Sequence, residues 1–333
     1  MSASPASPSP SAPPTSPDAS TVPDAALQAA IDRFVRRSGT PGISVTLRWD
    51  DGRTWTGTSG LADVGSRLPV TPQTAFSIAS VSKTFTAALV LRLVEDGRLS
   101  LEAPAVRYLP ELALDRRITV RMLLDHTSGL ADVFLAPGID RALQSHPARR
   151  WTVERSLSYL GRRWFAPGKG WRYSNTNYLL LGLIVERVTG RPLATELRRL
   201  LRPLGLDGIW DEAAESPRTA LAHGYAVTGE TGHWEARDLS DGTDHSPFTS
   251  VVTALEGAGS IASTSADLAR WASLLYVPGP VLAASTLSAA LDDAHATHDY
   301  IPGVRYGLGV QELTVDGWPT LGHSGRILGA RSQ

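Results

Sequence analysis

The chain is predicted to be a mixed α/β (α+β) protein: an antiparallel sheet built from both termini and flanked by helices, with an inserted mostly helical domain. Three observations predict it. The stretch GISVTLRWDDGRTWTGTSG, from Gly42, alternates apolar and polar residues on either side of Asp51-Gly52, which is an antiparallel hairpin signature. The middle of the chain carries helical apolar spacing in the segments that begin at Thr119, Thr152 and Tyr178. The last segment, RYGLGVQELTVDGWPTLGHSGRILGA, returns to the composition of strands. Strands at both ends with helices between place the two ends in one layer.

Taken in order, the opening MSASPASPSPSAPPTSPDAS lacks the apolar bulk to offset its ordering entropy and reads as a flexible or polyproline-like tail over residues 1–24. It has neither the charged start nor the apolar stretch of a secretion signal. ALQAAIDRFVRRSG, from Ala26, is an amphipathic helix closed by Gly39, and the hairpin follows. A helix is expected from about Ser80 to Asp96, stopped by Gly97. The polar, glycine-rich stretch from Asp211 to Ser250 reads as long loops or ragged strands. STSADLARWASLLY, from Ser263, carries a Thr264/Asp267 capping box ahead of an apolar helical face. The expected division is a sheet domain over 25–107 and 252–333, with the mostly helical domain over 108–251.

Composition narrows the function. At 333 residues with a net charge of −1, the chain has no basic surface that argues for nucleic acid or anionic lipid. It has no cysteine, which excludes disulfides, thiolate zinc sites and a cysteine nucleophile. No apolar run approaches the roughly 20 residues of a membrane span. No Gly-x-Ser-x-Gly elbow occurs. Asp292, His295, His298 and Asp299 lie close together in DDAHATHDY, but read as a solvated polar segment, so no metal and no cofactor is expected. His126 reads as a satisfied structural histidine, and Lys169 as an exposed turn residue.

The informative residue is a lysine. Of 32 basic residues only two are lysine, and one of them, Lys83, sits in the apolar run FSIASVSKTFTAALV. It follows Ser80 by three residues, so both side chains share one helical face, about 5–6 Å apart at Cβ. A helix apolar on nearly every side is buried. Burial lowers the pKa of a lysine, whereas arginine cannot respond in this way. A neutral amine beside a serine is a base for a nucleophile, and the helix start adds a free amide for an oxyanion. Ser80 could equally be no more than a helix cap.

Further along, Tyr173-Ser174-Asn175 precedes an apolar helix; the phenol can carry a proton, and the amide can bond both the lysine and a carbonyl. The same residues could simply shape the turn. His323-Ser324-Gly325 falls on a late strand, where a histidine can polarise a site, a hydroxyl can bind a carboxylate and a glycine admits close approach. Read alone, His323 is a surface histidine.

Together, in this order, these pieces resemble the serine β-lactamase and penicillin-binding-protein superfamily, in particular the branch of D-alanyl-D-alanine carboxypeptidases, class C β-lactamase-like esterases and D-aminopeptidases. LLDHTSGL, PGKGWRYSNTNYLLLG and GAGSIASTSADLARW carry the resemblance further, from about Ala26 to Arg331. It implies a β-lactamase/transpeptidase-like fold and a serine hydrolase that works through an acyl-enzyme. Ser80 is then the nucleophile, Lys83 the general base and Tyr173 the proton carrier. Asn175 would bond Lys83 and substrate; the Ser80 and Arg326 amides would receive the oxyanion; His323, Ser324 and Gly325 would line the opposite wall.

Histidine in place of lysine at 323 favours a carboxypeptidase or esterase over a β-lactamase. The implied partner is a small-molecule or peptide substrate: a peptidoglycan stem peptide, an ester or a β-lactam. The alternatives are a sensor that acylates without turnover and a truncated inactive homologue. The resemblance also implies an envelope or secreted location. It further implies two more strands and a helix after Gln333, so the chain is expected to be a fragment of a longer protein or a destabilised form.

Overall fold

The structure, a computed structural model, describes residues 23–230, 233–292 and 294–333. Most of the predicted tail lies outside the described residues; Pro23 and Asp24 cap and open the first helix, Asp24–Ser38. That helix ends as expected at Gly39, which is left-handed at φ 71°. The hairpin forms from strands Gly42–Arg48 and Thr54–Asp63, in register from Gly42 opposite Gly60 to Arg48 opposite Thr54. Gly52 turns it at φ 88°, while the Asp51 carboxylate accepts the Arg53 amide at 2.9 Å.

Every ladder between named strands is antiparallel, but the strands divide among several small sheets. The N-terminal hairpin is joined by Leu68–Pro69, and the late strands Gln311–Val315 and Trp318–Gly322 pair with each other in a separate sheet. Among the described residues, the ladder that links the two ends of the chain is Ala75–Ser77 against Ile261–Thr264, with Ile209–Asp211 on its other side. The Asp211–Ser250 stretch supplies a regular hairpin, Tyr225–Glu230 with His233–Asp238, and the start of helix Thr249–Leu255.

The helices differ from expectation at their ends. Helix Ser82–Glu95 begins two residues after Ser80, which lies in a preceding 3₁₀ turn, Ala79–Val81. The segments after Thr119 and Thr152 give only short helices, Val120–Leu124 and Val153–Leu157, each capped by its threonine. Helix Asn175–Thr189 already includes Asn175. In helix Ser265–Leu275, Thr264 caps the Asp267 amide at 3.1 Å, but the Asp267 carboxylate turns to the Gly208 amide at 2.7 Å. The capping box is therefore half closed, because Asp267 ties the helix to the neighbouring chain segment instead.

One continuous core joins both ends and the middle, with Phe85, Val90, Tyr178, Leu180, Trp271 and Leu308 among its members. Helix Ser82–Glu95 is buried on almost every face, which its all-round apolar sequence requires. Trp271 stacks on Phe85 with ring centroids 4.2 Å apart and donates its indole N–H to the Thr84 hydroxyl at 3.0 Å.

The late strand Gly325–Ile327 closes on the Ala79–Val81 turn. It pairs with Ala330–Ser332, and the Ser332 hydroxyl donates to the Ile78 carbonyl at 2.6 Å. A Cβ at Gly325 would collide with that carbonyl oxygen and with the Ser332 hydroxyl. Gly325→Ala is therefore expected to cost about 1–3 kcal/mol of stability, read as a lower urea midpoint with unchanged slope.

Candidate active site

The geometry starts at a sharp strand-to-helix turn. After Ser77 the chain bends at Ala79, a non-glycine residue held at φ 48°, a conformation that costs on the order of 1–3 kcal/mol. The bend is retained because the Ile78 amide donates to the Ile261 carbonyl at 2.9 Å and its carbonyl accepts from Ser332. Its result is that Ser80 is partly exposed while Lys83, one turn on, is fully buried. The second lysine, Lys169, is exposed in its turn.

The Lys83 amine has three partners: Ser80 Oγ at 3.0 Å, Asn175 Oδ1 at 2.7 Å and the Ala258 carbonyl at 2.7 Å. Burial pulls its pKa down to about 7, against the opposing pull of the Asp132 carboxylate. A neutral amine has two N–H donors and one lone pair. The Ala258 carbonyl and the Asn175 amide oxygen can only accept, so they take both donors. Ser80 is the one partner with a proton to give, so the lone pair faces the serine O–H.

Asn175, the first residue of its helix, is oriented by Asp132: its side-chain nitrogen donates to Asp132 Oδ2 at 2.8 Å and its backbone amide to the same oxygen at 3.2 Å. Tyr173 closes the site, with its ring centroid 5.0 Å from the Lys83 nitrogen. Its ring is partly exposed, but its oxygen is covered and forms no hydrogen bond. Burial raises the phenol well above its usual value; the neighbouring Tyr300 adds to this, and the nearby Ser80 hydroxyl opposes it without reaching hydrogen-bond geometry. Tyr173 is thus a neutral phenol where Lys83 titrates.

His323 is buried, not on the surface. Its Nδ1 lies 2.6 Å from the Ser324 carbonyl, which can only accept, so the proton is on Nδ1 and Nε2 accepts from the Tyr306 hydroxyl at 2.9 Å. Burial, with the Lys83 charge second, lowers its pKa to about 3. His323 is therefore a neutral packing partner with both nitrogens engaged.

His323 and Ser324 form the junction between strands Trp318–Gly322 and Gly325–Ile327, so only Gly325 of the three lies on a strand. The Ser324 amide donates to Gln311 Oε1 at 2.8 Å. Gly325 makes its close approach to the Ile78 carbonyl, the residue before the bend. Arg326 is exposed; alternation along the hairpin directs its amide away from the partner strand.

His126 is buried as expected but only half satisfied. Its Nδ1 accepts from the Ser174 amide at 3.2 Å and the Asn177 side-chain nitrogen at 3.0 Å, while Nε2 has no partner. Within DDAHATHDY, His295 lies 3.4 Å from Asp125, and Asp292 accepts from Ser288. Among the described residues, the three-residue group with ligand-like spacing is Asp63, His223 and Asp238, which sequence reasoning did not single out.

Sequence reasoning also missed four residues around the site. Asp132 had a local signal, since an aspartate two residues before Phe134 can cap a turn, and it does so at 3.0 Å. Ala258 contributes only its backbone and had none. Tyr300 stacks on Tyr173 with centroids 5.0 Å apart and planes inclined by 13°, and accepts from Gln311 at 2.6 Å; it comes from an irregular segment with no pattern to flag it. Tyr306 was visible in the sequence only as a strand residue.

The beta-lactamase family model matches residues 27–333. The chain belongs to the beta-lactamase family. Among its relatives is esterase EstB of Burkholderia gladioli, 34% identical over 216 residues that cover 60% of this chain and 54% of that protein. Another is penicillin-binding protein 4* of Bacillus subtilis, 29% identical over 69% of this chain and 51% of that protein. This member of the beta-lactamase family thus spans about half the length of these curated relatives. Among solved structures, the D-amino acid amidase of Ochrobactrum anthropi SV3, complexed with D-phenylalanine, superposes with a TM-score of 0.78 at 29% identity. The match covers 92% of this chain and 85% of that one.

The buried amine gives a stability signature in this beta-lactamase family member. Unfolded, the lysine keeps a value near 10.5; folded, it falls to about 7, so between these limits the unfolded chain binds more protons and stability rises with pH. The penalty is present in full below about pH 7. Wild type is expected to gain on the order of a few kcal/mol relative to Lys83→Met between pH 7 and 10, measured by denaturant titration at each pH.

Proposed function

We propose that this protein is a serine hydrolase that cleaves an amide or ester through an acyl-enzyme. The observation that carries the proposal is the obligatory direction of the Lys83 lone pair toward Ser80: two acceptor-only partners leave it nowhere else to point. Ser80 Oγ attacks the substrate carbonyl as its proton passes to Lys83. The oxyanion falls to the Ser80 amide, ahead of the helical ladder, and to the Arg326 amide across from it. Collapse breaks the bond to the leaving group, which takes a proton from Tyr173, and Tyr173 is resupplied from Lys83. Water then attacks the acyl carbonyl, gives its proton to the same pair, and releases the acid and free Ser80.

The neutral phenol and the neutral imidazole of His323 support this division of labour, since only the amine changes charge near pH 7. The relatives support the substrate class: they include an esterase, a penicillin-binding protein and a D-amino acid amidase. Position 323 offers an engaged, neutral imidazole in place of a cation, which favours esters, D-amino acid amides and D-alanyl-D-alanine-type peptides over β-lactam hydrolysis.

The test is hydrolysis of a p-nitrophenyl ester and a D-amino acid amide, with intact mass recorded over time. A transient acyl adduct on Ser80 is expected, with kcat/KM rising through a midpoint near about 7 as Lys83 loses its proton. Ser80→Ala and Lys83→Arg should each lose at least ~10³-fold in rate, and Ser80→Ala should lose the adduct. Turnover by Ser80→Ala at the wild-type rate would refute the assignment; an adduct that never clears would make the protein an acylated sensor.

A further inference from the structure

We propose that Asp132 is a positioning residue for the Ser80–Lys83 pair. It fixes the Asn175 side chain in the one orientation that presents oxygen to the amine, and it sets a negative charge one amide group away. The inference rests on the hydrolase reading above and adds a residue to it. Asp132 touches neither Ser80 nor the bond to be broken.

Three observations lead there. First, a carboxylate can only accept, so the Asn175 group facing Asp132 Oδ2 at 2.8 Å must be the nitrogen, and the group facing Lys83 at 2.7 Å must be the oxygen. Without the carboxylate the amide is free to flip, and a flipped amide would offer Lys83 a donor. The neutral amine would then turn its lone pair toward Asn175 and away from the serine.

Second, Asp132 is itself held. Its Oδ1 accepts the Phe134 amide at 3.0 Å, its Oδ2 also accepts the Asn175 backbone amide, and only 6% of its surface is exposed. The Asn175 helix has no side-chain cap from Ser174, so the carboxylate also serves its N-terminus.

Third, Asp132 is the charge that acts on the amine. Among the described residues, the ionisable groups around Lys83 include Tyr173, Tyr178, His126 and His323, with Glu256 on the turn that supplies the Ala258 carbonyl and raised by burial to about 8. Burial holds both phenols up and both imidazoles down, so all four are neutral near pH 7. Asp132 is raised by its own burial and lowered by its amide donors and by Lys83.

A purely structural role is the competing explanation, since Asp132 also pins its loop. The two separate by titrating the amine directly. With two lysines in the chain, a protein labelled with carbon-13 at lysine Cε gives two lysine signals, and exposed Lys169 is the internal control. Asp132→Asn is expected to lower the Lys83 midpoint by about one pH unit and leave Lys169 unmoved. The acid limb of kcat/KM should move down by the same amount. Thr176→Val loosens the same loop, by removing the hydroxyl that accepts the Val133 amide at 3.0 Å, without altering charge. It should lower Tm but leave the Lys83 midpoint in place.

An Asp132→Asn protein with native circular dichroism and an unchanged Lys83 midpoint overturns the proposal. If Asp132→Asn does not fold, the wild-type protein decides. Its Asn175 side-chain N–H signals should exchange slowly and shift as Lys83 titrates; rapid exchange with no pH response overturns the proposal equally. Full activity of Ser80→Ala would defeat the hydrolase reading and leave this titration result standing, so the two failures are distinguishable.

Discussion

The site depends on a primary amine kept out of water, two of whose three partners cannot donate to it. Removing Lys83 from solvent makes its charge expensive, and the two acceptor-only oxygens of Ala258 and Asn175 dictate what its neutral form must do. Everything else follows from supplying that environment. The apolar faces of helix Ser82–Glu95 require burial, the helix beginning at Asn175 delivers the amide, and the 3₁₀ turn Glu256–Ala258 delivers the carbonyl. An arginine in the same place would stay charged and would have no lone pair to offer.

Around the amine the fold builds an aromatic enclosure whose members are electrically silent. Tyr173, Tyr300, Tyr306 and His126 pack at centroid distances between 4.3 and 6.1 Å. Their burial pushes the phenols up and the imidazole down, so none competes with Lys83 for a proton near neutrality. The low-polarity wall also strengthens the charges that remain, since the same separation carries more energy in a poorly polarisable medium. The strained Ala79 bend has its place in this arrangement. It lets a single turn hold one side chain at the surface and the next functional one inside.

Much of this was legible in the sequence. The helix that carries Lys83 announced its burial through apolar residues on every face. The hairpin announced itself through alternation around Asp51-Gly52, and the residues Ser80, Lys83, Tyr173 and Asn175 do meet in space. What the sequence left obscure was whatever depends on a distant backbone or on packing. The Ala258 carbonyl has no residue type to read, and Tyr300 reaches Tyr173 from a segment without periodicity. Buried His323 is bonded by Tyr306, which comes from the distant strand Arg305–Tyr306. The capping box at Thr264 shows the same limit, because a correct local pattern cannot foresee that Asp267 will be claimed by Gly208 from elsewhere in the chain. The division of strands into separate small sheets was likewise invisible to composition.

The contrast between the two lysines has a practical side. Electrophiles that modify primary amines in water require an accessible, unengaged nitrogen, and of the two side chains only Lys169 presents one. The large excess of arginine leaves such reagents few other targets. Of the two lysines, a dye, a biotin handle or a surface linker introduced by acylating amines would therefore settle on the one in the Pro167–Gly170 turn, and the interior amine would be spared.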